Sequence, residues 1–115
     1  MHKFKQIAED HGFNVAEERL DGIACIKGNL IVIVSQGKEQ DGKEWRHVSL
    51  SRRNKYPPYE EIKRIKNIFI GSDEKAMMIF PKETNHVNIH QYCFHLYSCI
   101  DGDSLPDFDR GMGTI

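Results

Sequence analysis

Trp45-Arg46-His47-Val48-Ser49-Leu50-Ser51 is the stretch on which the reading of this chain turns. Val48 and Leu50 fall in step with Arg46, while Trp45, His47, Ser49 and Ser51 occupy the alternate positions. That period of two marks a β-strand, because successive side chains leave an extended backbone on opposite sides. One side is apolar enough to enter a core. The other carries an indole, an imidazole and two hydroxyls, so the question for function is whether that side is chemistry or simply one face of a sheet.

Working outward, residues 23–27 and 30–35 are two apolar, β-branched runs joined by Gly28-Asn29, a two-residue turn that predicts a hairpin. Ahead of it, Phe4, Ile7 and Ala8 recur at helical spacing over residues 2–11, and Gly12 supplies a stop. Residues 37–43 read as a polar loop. Beyond the central strand, Asn54 to Pro58 breaks the chain, and Pro58-Tyr59-Glu60-Glu61 opens a helix whose Ile62, Ile65, Ile68 and Phe69 form a stripe ending at Gly71. Glu60 and Glu61 sit where they complement the helix dipole. Residues 75–80 and 92–100 are two further strands, the first closed by Pro81. The order α-β-β-β-α-β-β predicts a single α+β domain over residues 1–115. Its sheet is five-stranded and mostly antiparallel, with one main helix packed on one face. Within it, 1–43 hold the first helix and hairpin, 44–106 the core, and 107–115 a flexible tail, since Gly111 and Gly113 favour fraying.

Composition sets the class. With 115 residues, 39% hydrophobic and 29% charged, the chain has room for one core and the balance of an ordinary globule. Its longest apolar run, Leu30 to Val34, is far below the roughly 20 residues that cross a bilayer, and residues 1–10 lack the apolar stretch of a secretory signal. Three cysteines, Cys25, Cys93 and Cys99, all fall in apolar runs, which fits free thiols in a reducing cytoplasm. Net charge is only -1, but it is unevenly spread. Residues 43–66 carry eight Lys or Arg against three Glu, and residues 101–115 carry four Asp against one Arg.

Three constellations carry candidate chemistry. The basic segment with Arg52, Arg53, Lys55, Tyr56, Tyr59 and Lys63 offers cations for phosphate or an acidic surface and rings for stacking on a base; Arg64 and Lys66 extend it along the polar side of the helix. A host protein, a nucleic acid or a nucleotide engaged through residues 52–66 is the expected partner. His47-Val48-Ser49 resembles one half of the two-histidine phosphoesterases, where one imidazole is general base, a second general acid and hydroxyls hold phosphate. His95 is the second imidazole on offer, but no second His-x-Ser/Thr follows it. His86, His90, Cys93 and His95 are ligand types that zinc prefers, at a spacing that fits no standard zinc motif. No Gly-x-Ser-x-Gly elbow, P-loop or Gly-x-Gly-x-x-Gly turn occurs, and no cofactor is expected.

Trp45-Arg46-His47-Val48-Ser49, Pro58-Tyr59-Glu60-Glu61, Lys66-Asn67-Ile68-Phe69 and Cys93-Phe94-His95-Leu96-Tyr97 together resemble a family of small bacteriophage and prophage proteins, over about residues 45–106. That family's pattern runs Trp-x-His-Val-Ser, Pro-Ser/Thr-Trp-Glu-Glu, Tyr-Val-Asn, then Cys-x-His-Leu-Trp. Tyr59 and Tyr97 stand where the family has Trp, and His86 where it has Tyr. The resemblance implies no reaction. It implies a setting, that of a phage accessory protein in the cytoplasm of a bacterial host, where small proteins of this kind often inhibit host defence. The expectation is therefore a non-enzymatic binding protein, with a histidine-dependent phosphoesterase using His47, Ser49 and His95 as the alternative.

Overall fold

Residue 45's strand forms as the alternation requires, and the rest of the molecule is arranged about it. The computed structural model describes residues 3–38, 40–42, 44–52, 55–79, 92–99 and 111–114. Along the chain these are α1 (Lys3–Asp10), β1 (Asn14–Glu18), β2 (Gly22–Lys27), β3 (Leu30–Lys38), β4 (Glu44–Arg52), α2 (Tyr59–Phe69), β5 (Met77–Ile79), β6 (Tyr92–Cys99) and β7 (Gly111–Thr114). The fold is α+β, and its strands form one sheet in the order β1-β2-β3-β4-β6-β5-β7. Every pairing among them is antiparallel.

The sheet has seven strands among the described residues, two more than the five expected. Neither addition carries the signature of a strand. In β1 only Val15 is partly covered, and the register slips between Val15 and Glu17, so an edge strand is held by backbone pairing to β2 without an alternating pattern to betray it. β7, Gly-Met-Gly-Thr, is poor in strand formers and is defined by its pairing with β5, so these four residues of the expected tail are in the sheet. The expected loop at 37–43 is also shorter, because Gly37 and Lys38 continue β3 opposite Trp45 and Glu44. Gly37 is required there: a Cβ would come within 2.3 Å of the Trp45 ring, which lies across the glycine.

Between β4 and β5 the chain crosses through α2, and β6 returns to fill the slot between them. β4 and β5 therefore run parallel one strand apart, a split β-α-β unit. One sheet face presents Ile23, Cys25, Val32, Val34, Val48, Leu50 and Leu96, all at most 1% exposed, to the apolar sides of both helices. α1 contributes Phe4 and Ala8, and α2 contributes Ile62, Ile65 and Phe69, so the expected main helix shares its face with the shorter one. Neither helix is long and apolar enough to cross a membrane.

Two arginines on the apolar side of β4 tie α2 down at both ends. Arg46 donates from Nη1 to the carbonyl of Phe69 at 2.8 Å, where a cation matches the negative end of the helix dipole, and its Nη2 donates to Gln36 Oε1 at 2.9 Å. Arg52 makes a bidentate pair with Glu61 in the first turn, at 2.8 and 2.6 Å. This is why arginines stand in step with Val48 and Leu50: each reaches past the core to satisfy the helix at its rim.

Candidate functional site

The antiparallel β4–β6 register sets Tyr97 opposite His47 and His95 opposite Ser49, so the two imidazoles are diagonal neighbours on the sheet face turned away from the helices. His47 Nε2 lies 2.7 Å from His95 Nδ1, a direct hydrogen bond in which one ring donates and the other accepts. The rings are nearly coplanar in orientation, 14° apart with centroids at 5.0 Å. On its other side His47 stacks on Tyr97, with centroids at 4.4 Å. Two residues before His47, the indole of Trp45 lies on Gly37. His47, Ser49 and His95, the residues of the alternative phosphoesterase reading, all lie half-buried on the adjacent strands β4 and β6.

The electrostatics follow from that burial. Desolvation, reinforced by the neighbouring His95, pulls His47 down to about 4, and desolvation lowers His95 as well. Burial raises the Tyr97 phenol. At neutral pH both imidazoles are uncharged and can bond to each other without like-charge repulsion. A phosphoesterase dyad needs an imidazolium as acid and a gap between the rings for the phosphoryl group. Here the nitrogens are in contact.

Of the residues named as a zinc set, His95 is engaged with His47, and Cys93 lies in β6 opposite Ser51 in the register. His86 and His90 lie outside the described residues. Among the described residues no three His, Cys, Asp or Glu groups converge as a metal site. Cys25 behaves as core: it is fully buried, and burial pushes its thiol up to about 12.

The basic segment divides. Arg53 is outside the described residues, and the charge of Arg52 is matched by Glu61. Lys66, expected on the polar side of α2, is instead 4% exposed, with its ammonium donating to the Ser72 carbonyl at 3.3 Å. The exposed remainder is Lys55, Tyr56, Tyr59, Lys63 and Arg64. Tyr56 and Tyr59 are 47% and 51% exposed. None of the ion pairs among the described residues uses Lys55, Lys63 or Arg64. Arg64 also lines a cleft of about 340 Å³ between α2 and the β2–β3 turn, across from Lys27 and Asn29. In the sequence Lys27 is a lysine ending a hairpin strand, which gives no sign that a residue 37 positions later stands beside it.

No curated protein and no solved structure matches the chain. Residues 38–101 match a family pattern described as a domain of unknown function, DUF7694. That span takes in β4, α2, β5 and β6, hence both histidines, both clamping arginines and the exposed tyrosines. It covers more than half of the 115 residues, and the chain therefore belongs to the DUF7694 family.

Proposed function

We propose that the protein is a non-enzymatic binding factor that engages an acidic partner through the exposed basic and aromatic side of α2 and the segment leading into it. The observation that carries this reading is the grouping of Lys55, Tyr56, Tyr59, Lys63 and Arg64, exposed together and with none of the three cations in an ion pair among the described residues. Exposed tyrosines beside lysines suit phosphate contacts and base stacking, or the rim of a protein interface. The phage-type motifs of the sequence supply the biological setting: an accessory protein in the cytoplasm of an infected bacterium, inhibiting a defence system by binding a host protein, a nucleic acid or a nucleotide signal. Pull-down from bacterial lysate with wild-type and Lys55→Glu/Lys63→Glu proteins, with bound small molecules identified by mass spectrometry, tests it. Capture should be lost with the charge reversal and should weaken with salt. Undiminished capture by the reversed protein would refute the assignment of this face. Arg52 is a poor choice for reversal, because it holds Glu61 of α2.

The second reading, a phosphoesterase using His47, His95 and Ser49, is favoured by one observation, the placement of both imidazoles on one face of adjacent strands. Turnover of nucleotide phosphodiesters that disappears in His47→Ala would establish it. The contact between the rings and their depressed proton affinity place it second.

A further inference from the structure

We propose that His47 and His95 form a binding site for a divalent transition-metal ion of the zinc, nickel and copper class, on the sheet face opposite the helices. This site is separate from the basic face of α2 and stands whether or not that face binds a partner.

The geometry sets two imidazole nitrogens, Nε2 of His47 and Nδ1 of His95, 2.7 Å apart and facing each other. With metal–nitrogen bonds of about 2.0–2.1 Å and a tetrahedral angle, two ligating nitrogens stand roughly 3.4 Å apart. The observed 2.7 Å is shorter by less than an ångström; drawing the rings apart by that difference and turning each by roughly 35°, so that nitrogens now aimed at one another converge on the ion, converts the hydrogen bond into a tetrahedral chelate. Imidazole pairs suit this class of ion over calcium or magnesium, which take oxygen ligands. The frame is already built. The β4–β6 ladder runs through eight residue pairs from Trp45↔Cys99 to Arg52↔Tyr92, and Tyr97 braces the ring of His47. Because the pair is only half-buried, the ion's remaining positions are open to water or to an added ligand. Ser49, opposite His95, is the adjoining polar residue on the same face.

The proton accounting is simple. One neutral ring donates its N–H into the hydrogen bond and the other accepts. On metal binding the donor ring must present a lone pair at that nitrogen, so its proton moves to its other ring nitrogen by exchange with solvent. The acceptor ring keeps its tautomer, and no net proton is released.

Titration of tag-free protein with zinc chloride at pH 7.5, followed by calorimetry, tests the site. One equivalent should bind, with heats that do not depend on the ionisation enthalpy of the buffer. His47→Ala and His95→Ala should each weaken binding by about tenfold or more, the loss typical of removing a metal-site residue. His11→Ala should leave it unchanged. Long-range proton–nitrogen correlation spectra of the wild-type protein need no variant: zinc should move the ring signals of two histidines together and shift the tautomer of one. Unaltered affinity in His47→Ala or His95→Ala, or ring signals of these two histidines that do not respond to zinc, would overturn the proposal.

Discussion

Acidification should unfold this protein partly through His47, and the size of the effect can be worked out. In an unfolded chain the imidazole titrates near 6.5, whereas burial and the neighbouring His95 hold it at about 4 in the fold. The unfolded state therefore takes up the proton first as pH falls. Stability linked to His47 is complete above 6.5 and is lost as pH drops towards 4. The linkage relation gives a loss of about 2 kcal/mol by pH 5 and about 3 kcal/mol in full. His95, also lowered, adds in the same direction. The perturbation is His47→Gln, which keeps a polar group beside His95 but does not titrate. Urea unfolding followed by circular dichroism at pH 7.5 and pH 5 gives the stability difference for each protein, and carboxylate protonation, common to both, cancels in the comparison. The variant's loss between the two pH values should be smaller than that of the wild type by about 2 kcal/mol. Equal losses in the two proteins would show that the pair does not hold its imidazoles neutral, and the electrostatic description of the site would fail.

Further outcomes follow from the packing. Gly37→Val places side-chain atoms where the Trp45 ring lies, within 2.3 Å at Cβ alone, and should cost about 1–3 kcal/mol; Trp45 is the sole tryptophan, so a red shift in its emission reports its displacement. Arg46→Ala removes the cation at the carbonyl end of α2 and should destabilise the fold by about 1.5–3 kcal/mol in thermal or urea unfolding, the range for hydrogen bonds to charged groups. Arg46→Lys should recover only part of this, since a single ammonium cannot reach the Phe69 carbonyl and the Gln36 amide as the guanidinium fork does. Glu61→Gln should weaken the tie to Arg52 and lower the melting temperature by a few degrees, with the wild-type advantage shrinking in high salt.

Much of the architecture is legible in the sequence because burial is periodic. The alternation from Trp45 to Ser51, the Gly28-Asn29 turn and the stripe Ile62, Ile65, Phe69 each report a local contact with the core, and each forms where its spacing says. β1 and β7 escape because they are edge elements whose identity lies in pairing with a neighbour and not in their own side chains. Lys66 shows the complementary limit. A lysine reads as solvent-facing, yet Lys66 is buried, as Ile62, Ile65 and Phe69 are, while its ammonium finds a backbone carbonyl beyond the helix. At the site, the alternation puts His47 and Ser49 on one face, but the meeting of His47 with His95 depends on β6 inserting between β4 and β5, which no local pattern encodes. The same holds for Arg52, whose pairing with Glu61 turns a candidate ligand contact into a structural one.

The position of β6 has a consequence for how the protein is made. On the ribosome β1 to β4 and α2 emerge first, and β4 then presents an unpaired edge until a strand 40 to 54 residues further along arrives to cover it. Pairings so distant in sequence are closed late and slowly. Until then the nascent chain has a sticky margin and no histidine pair, so contact between the two imidazoles marks closure of the β4 edge, and a chain cut short before residue 92 would be left with the very edge that invites aggregation.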